Sequence, residues 1–392
     1  MSTADSITQA VQNLYNTYPF PPEPLTDGAP PGYNWRWSVA AAHHFTLGWV
    51  PQTWPQVHIL DAGCGTGVGT DYLAHLNPDA QVTGIDLSEK ALQIAQERVR
   101  RSGVAHRVKF RQLSLTDVQQ CSQQFQYINC VGVLHHLPDP QAGLRALAEV
   151  LAPGGLIHIF VYALWGRWEI RLMQKAIGFL QPAGDYQAGV AIGRQLLAHL
   201  PPDNRLVRRE RERWALDNTH DATFADMYVH PQEIDYTVQT LFDLINDSGL
   251  EFLGFSNPRY WQLERLLAPM PELLQTARNL PIQKQYELME ALDPELTHFE
   301  FFLGRPPLHR CPWDESSLLQ AMPERSPCMM GWPGYSLFDY DYQPVDLTPT
   351  EHELLSHCTG NVTVSEVLNR VPTATVAQVR DLHQRQLLWL KC

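Results

Sequence analysis

Apolar residues fall along this chain in two rhythms, and the change from one to the other marks its parts. Val57-His58-Ile59-Leu60-Asp61-Ala62 is an almost unbroken apolar run that ends on an acid and leads into Gly63-Cys64-Gly65-Thr66-Gly67. It predicts a buried parallel strand that delivers the backbone to a tight loop opening a helix. Gln81–Ser88 predicts the next strand, a third ends near Phe110–Leu115, a fourth begins at Phe125, and a fifth covers Leu151–Tyr162. Strands and helices alternate with short connections from about residue 55 to 162, which predicts an α/β fold with a doubly wound parallel sheet.

The flanks follow the helical rhythm. Ile7, Val11, Leu14 and Tyr15 predict an amphipathic helix over residues 5–17, and six prolines then break the chain between Tyr18 and Pro31. Residues 164–215 read as mostly helical, and Tyr236–Ser248 as a further helix. Glu251–Phe255 and His298–Gly304 are expected to be the last two strands. Residues 308–346 read as loop. Thr348-Pro349-Thr350-Glu351 then carries helix-start signals, two more helices are expected over Thr363–Arg370 and Thr375–Gln386, and Leu387–Leu390 as a terminal strand. The expected division is an N-terminal helical and aromatic lid over 1–50, a main domain over 51–307 with an insertion at about 164–235, and a small winged-helix-like module within 308–392.

Charge and composition narrow the functional classes. The net charge of -13 disfavours nucleic acid as a partner, since phosphate binding relies on clustered Lys and Arg. The basic stretch Arg205-Leu206-Val207-Arg208-Arg209-Glu210-Arg211-Glu212-Arg213 is expected to pair its arginines with its own glutamates, with docking of an acidic partner as the alternative. No run of 18 apolar residues predicts a membrane span. A polar, acidic start and seven scattered cysteines without a CxxC pair suggest a reduced, cytoplasmic setting. Neither His43-His44 nor His135-His136 has a Cys or carboxylate at ligand spacing, so no metal is expected.

The glycines at 63, 65 and 67 leave room for a nucleotide-like ligand against the main chain, and Asp86 can accept from two ribose hydroxyls. With Phe125–Pro140, Leu151–Tyr162, the Tyr15-Asn16-Thr17-Tyr18-Pro19-Phe20-Pro21-Pro22 element and Asp226-Met227-Tyr228-Val229-His230-Pro231, the chain resembles the class I, Rossmann-like methyltransferases dependent on S-adenosyl-L-methionine. That resemblance implies a seven-stranded sheet closed by an antiparallel edge strand. It implies cofactor contacts at Asp61, Gly63, Gly65, Gly67, Asp86, Leu87, Ser114, Leu115 and Cys130, with Ser114 standing where many relatives place an acid against the adenine amine. It also implies an arm that folds over the cofactor, with Tyr33, Trp35 and Trp37 among the aromatic residues of its wall.

Methyl transfer is an in-line displacement, so candidate orienting and proton-accepting groups are sought at the strand ends. His135 and His136 stand at the end of strand four, where a His-His-Leu segment also commonly just packs beside the cofactor; the candidates are His135, Asp226 and Tyr228 for catalysis, His135 foremost, and Tyr15, Tyr18, Tyr162 and His230 for the acceptor. The long insertion and extra module suit a protein acceptor, and the arm resembles that of the cyanobacterial enzymes that N-methylate an asparagine of phycobiliproteins. A small-molecule acceptor such as a quinone, lipid or natural product, a catalytically silent cofactor-binding module, and an NAD-dependent dehydrogenase are the alternatives.

Overall fold

Strand β1, His58–Ala62, is buried at four of its five residues, as a strand covered on both faces must be. The structure, a computed structural model, describes residues 3–391; Met1 and Ser2 of the polar start and Cys392 lie outside the described residues. Parallel to β1 on one side runs β2, Gln81–Asp86, and beyond it β3, Val108–Gln112. On the other side lie β4, Phe125–Val131, and β5, Leu151–Tyr162, also parallel. The last two strands, β6 (Glu251–Phe255) and β7 (His298–Gly304), complete a seven-stranded sheet in the order β3-β2-β1-β4-β5-β7-β6. Leu60, Ile128, Ile157 and Phe301, all fully buried, come from four of these strands and share one core.

One detail of the sheet departs from expectation. The antiparallel strand is β7, and it is not at the edge: it pairs with β5 and with β6. The edge position falls to β6, which is laid down before β7, so the later strand enters the gap between β5 and β6. Full burial of Phe299, Phe301, Phe302 and Leu303 accords with this interior place.

The insertion forms helices Trp168–Leu180, Tyr186–His199, Arg205–Arg213 and Asp221–Tyr228. Ile170, Met173 and Ile177, at helical spacing, meet Val190 and Phe224 in a core of their own. The N-terminal helix, Thr3–Thr17, places Leu14 in that same core, and Tyr186 donates to the Ala10 carbonyl at 2.8 Å.

The chain divides into two compact units: residues 3–30, 58–75 and 80–305, and residues 31–57, 76–79 and 306–391. Of the stretch 1–50 expected to act together, the described residues up to Pro30 group with the first unit and those from Pro31 with the second. Tyr33, Trp35 and Trp37 belong to the second unit, where the Trp35 ring lies 4.4 Å from Phe45 and 5.6 Å from Tyr340. Helix Val39–Leu47 is anchored there because the Val50 amide donates to the Leu390 carbonyl and His44 meets Gln386 at 2.8 Å. The stretch 308–346, expected to be loop, contains helix Glu315–Gln320 and strands β8 (Met322–Arg325), β9 (Ser336–Phe338) and β10 (Pro344–Asp346). β8 pairs antiparallel with the terminal strand β11, Leu388–Lys391, beside three helices that each start on a threonine capping box. β8 and β9 are only four and three residues long, too short for a period-2 pattern to stand out. No helix among the described residues is long and apolar enough to cross a membrane.

Leu60→Ala, at a fully buried position between two parallel neighbours, is expected to lower stability by about 2–5 kcal/mol in urea unfolding. Leu216→Ala, at a residue 89% exposed, should change it by no more than about 0.5 kcal/mol.

Candidate functional site

The loop after β1 is held by the strand beside it. The amides of Gly63 and Cys64 both donate to the Ile85 carbonyl, at 2.8 and 2.9 Å, and the Gly65 amide donates to Asp86 Oδ2 at 2.8 Å. All three loop glycines have positive φ, from 52° to 81°. A Cβ at Gly63 would lie 2.3 Å from Val133 Cγ2, at Gly65 2.3 Å from the Phe20 carbonyl oxygen, and at Gly67 2.7 Å from Ala95 Cβ. The glycines are thus demanded by backbone conformation and by protein packing, not only by room for a ligand.

Asp86 sits at the end of β2. Its second oxygen accepts from the Ser88 amide at 2.8 Å, so both oxygens are fixed by main chain while each keeps a lone pair for a hydroxyl. Burial raises its pKa, and the amide hydrogen bonds oppose the rise. Asp61, 3% exposed, accepts from Thr70 Oγ1 at 2.6 Å and Asn129 Nδ2 at 2.8 Å. Desolvation nonetheless raises its pKa to about 6. Beyond Asn129 the polar chain continues through His158 Nδ1 at 2.9 Å, and His158 Nε2 meets Glu300 Oε1 at 3.0 Å. This line of side chains crosses β1, β4, β5 and β7 through the sheet's interior.

The N-terminal arm lies on the loop. The Thr66 amide donates to the Phe20 carbonyl at 3.0 Å and its hydroxyl to the Pro21 carbonyl at 2.6 Å. Arg98, 4% exposed, ties loop to arm by donating from Nε to the Thr66 carbonyl and from its terminal nitrogens to the carbonyls of Pro24 and Glu23. Upstream, Gln12 donates to the Leu87 carbonyl at 2.8 Å, and Ser88 Oγ to the Tyr15 carbonyl at 3.1 Å.

A second polar group collects at the ends of β4 and β5. Asp226 accepts from the Tyr15 hydroxyl at 2.7 Å and from the Tyr162 hydroxyl at 3.4 Å. The rings of His136 and His230 stack with centroids 3.6 Å apart. Burial lowers the pKa of both imidazoles, raises that of Asp226 and raises those of Tyr15 and Tyr162. Gln232 sets the tautomers: its carbonyl lies 2.8 Å from His136 Nδ1, which must carry a proton, and its amide donates to His230 Nδ1 at 3.1 Å. His136 Nε2 is left with a lone pair, and neutral His230 carries its proton on Nε2. Arg167 stacks 3.4 Å over the Tyr162 ring and donates to both oxygens of Glu233 at 3.1 Å.

Spacing along the sequence showed no metal set, yet His136, Asp226 and His230 present ligand atoms within 4.8 Å of one another. The three are brought together from separate segments, which spacing could not reveal. A metal-bound imidazole normally donates its other ring N–H, whereas His230 Nδ1 accepts, an arrangement unlike that of a metal ligand.

Other expected site residues are placed differently. His135 is fully buried against Tyr162, at 4.0 Å, with no hydrogen-bond partner on either ring nitrogen among the described residues; its neighbour His136 faces Asp226 and His230 instead. Tyr228 turns into the insertion and donates to Glu210, away from Asp226, because helix Asp221–Tyr228 presents residues two apart to different sides. Tyr18 packs at the rim of the insertion core; Tyr15, one turn earlier, reaches the polar group. Cys130 and Leu115 are core residues, and burial raises the Cys130 thiol's pKa. Ser114 caps the turn Leu115–Cys121 and hydrogen-bonds with Thr116. Arg167 and Glu233 were missed, for their pairing spans 66 residues and no local pattern announces it.

Two outcomes test the loop half of the site. Asp86→Ala should abolish binding of S-adenosylhomocysteine in calorimetric titration while the circular dichroism spectrum is unchanged. Asp61 carries its charge at a cost of about 3 kcal/mol above pH 6 and is protonated in the folded state below it. The folded state therefore gains relative stability as pH falls from 6 toward 4, and Asp61→Asn should raise Tm relative to the unsubstituted protein at pH 8 more than at pH 5.

A model of the methyltransferase domain matches residues 59–155, which begin in β1 and end in β5. An uncharacterized protein of Synechococcus sp. is 55% identical over 393 residues, covering 98% of this chain and 94% of that protein. An uncharacterized phycocyanin operon protein W of Pseudanabaena tenuis is 61% identical over 93 residues, 24% of this chain and 87% of that protein. Among solved structures, PKMT2 from Rickettsia typhi in complex with AdoHcy aligns with a TM-score of 0.62 at 14% identity, over 92% of this chain and 77% of that one. The Asp86 carboxylate, with a lone pair left on each oxygen at the end of β2, suits the ribose hydroxyls of such a ligand. The methyltransferase-domain match over residues 59–155, set in a sheet of this order with this loop, marks the chain as an S-adenosylmethionine-dependent methyltransferase of the class I fold.

Proposed function

We propose that this methyltransferase modifies a protein side chain, and that the acceptor is the amide nitrogen of an asparagine on a phycobiliprotein. The observation that carries the reading is the buried group of His136, His230 and Asp226 with its assigned tautomers. A primary amide offers N–H donors and a carbonyl acceptor side by side. Here a carboxylate and the His136 Nε2 lone pair can accept from the nitrogen, while His230 Nε2–H can donate to the oxygen. Burial keeps both imidazoles neutral at pH 7, so the group is matched to a neutral acceptor. The phycocyanin operon name of the Pseudanabaena relative supports the class of protein.

S-adenosylmethionine supplies an electrophilic methyl carbon and leaves as a thioether. The rest falls to the chain. An amide nitrogen is a weak nucleophile because its lone pair is delocalised, so Asp226, held by two tyrosine hydroxyls, orients and polarises the N–H. His136 Nε2 accepts the proton lost as the N–C bond forms, and the positive charge given up by sulfur ends on the imidazole beside Asp226. Arg167 over the Tyr162 ring fixes the phenol that holds Asp226. The arm, tied down by Arg98, covers the loop and keeps water out.

Incubating a lysate of phycobiliprotein-containing cells that lack this enzyme with the protein and labelled S-adenosylmethionine should place label on an asparagine of one polypeptide, read by peptide mass spectrometry. Label on lysine, or only in the small-molecule extract, would overturn the reading. His136→Gln should lower kcat by at least about 100-fold and leave S-adenosylhomocysteine affinity within about twofold. Because burial lowers the His136 pKa, its base form persists into more acidic solution, and kcat should still be at its plateau at the pH, about 6.5, where an ordinary imidazole is half protonated.

A further inference from the structure

Helix Trp168–Leu180 is apolar on two sides. Ile170, Met173 and Ile177 fill the insertion core. On another face Trp168 and Leu172, one turn apart, and Phe179, two turns further, form a row that Trp165 extends at its start. Trp165 is 51% exposed, Leu172 50% and Phe179 77%, and Lys175, between the last two, holds its Nζ 5.9 Å from the centre of the Phe179 ring. Large apolar side chains grouped in solvent and edged by cations are the make-up of an interaction surface.

The neighbouring charges bear on its occupant. The Arg205 guanidinium lies 4.3 Å over the Trp168 ring, which brings the start of helix Arg205–Arg213 beside the apolar row. The expectation that this basic stretch neutralises itself fails: Glu210 is buried and bound by Tyr228 and Asn218, and Arg209 and Arg213 pair with Glu295 from a distant segment. Arg205, Arg208 and Arg211 are exposed and form no ion pair among the described residues. Residues 164–215 hold nine Lys and Arg against five Asp and Glu, within a chain of net charge -13. The surface is also continuous with the site: Trp165 follows Tyr162 by three residues, and Arg167, two residues after Trp165, stacks on that tyrosine.

We infer that this face is where the acceptor protein docks, through an acidic surface that sets apolar side chains on Trp165, Leu172 and Phe179 and its carboxylates on Arg205, Arg208 and Arg211. The inference rests on the reading of the substrate as a protein. Charge steers the encounter and the aromatic row holds it, while the acceptor side chain reaches the group around Asp226.

The test measures initial rates of label transfer from S-adenosylmethionine to the protein fraction of that lysate at rising lysate concentration. It compares the unsubstituted enzyme with Leu172→Ser/Phe179→Ser and with Arg205→Glu/Arg208→Glu/Arg211→Glu. Expected is a rise of about tenfold in apparent KM for each variant with kcat and S-adenosylhomocysteine affinity unchanged. The unsubstituted enzyme should slow between about 50 and about 300 mM salt, and the charge-reversed one should not. Protein labelling with equal KM in both variants overturns the docking face and leaves the protein-acceptor reading standing. Label confined to small molecules overturns both.

Discussion

A carboxylate buried at the end of the first strand cannot be left without hydrogen bonds, and much of this molecule is arranged around that requirement. Asp61 is met by Thr70 from the helix that follows the loop and by Asn129 from β4, so the strand, the loop's far side and the central neighbour are bound to one acidic group. Asn129 in turn depends on His158 and Glu300, which carries the order of the sheet across to its antiparallel strand. A network of this kind is costly when partly satisfied and specific when complete. It defines which strand lies next to which at the place where the cofactor loop leaves the sheet.

From that anchor the site extends in two directions. Toward β2, the loop glycines come against Val133, Phe20 and Ala95, and Asp86 closes the turn by taking the Gly65 amide. Toward the N-terminus, the arm is fastened by backbone carbonyls, which need no particular side chain on the arm itself; the recognition lies in Arg98 and Thr66. Arg98 is a buried cation satisfied by three carbonyl oxygens, an arrangement that orders the arm without neutralising the charge.

The buried group of His136, His230 and Asp226 shows how burial sets protonation. Stacked imidazoles in contact cannot both hold a proton, and desolvation acts in the same direction. One backbone unit, at Gln232, gives its carbonyl to one ring and its amide to the other, which makes a donor of one histidine and an acceptor of its neighbour. The Asp226-Met227-Tyr228-Val229-His230-Pro231 segment thus works as a unit with the residues just after it.

Much of the fold was legible in the residues: the five parallel strands, the glycine loop with Asp61 and Asp86, and the Thr-capped terminal helices each rest on local pattern, through continuous apolar runs, positive-φ glycines and hydroxyl caps. These are determined within a few residues of chain, so sequence suffices for them. What only tertiary structure decided depends on groups far apart in sequence. The interior place of β7, the grouping of residues 31–57 with the second unit, the stacking of His136 rather than His135 on His230 and the pairing of Arg167 with Glu233 follow from which surfaces meet once packed. In a run such as His135-His136 both residues carry the same chemistry, and only the direction of each side chain, set by the turn between β4 and the next helix, tells the buried packing residue from the one that faces a carboxylate.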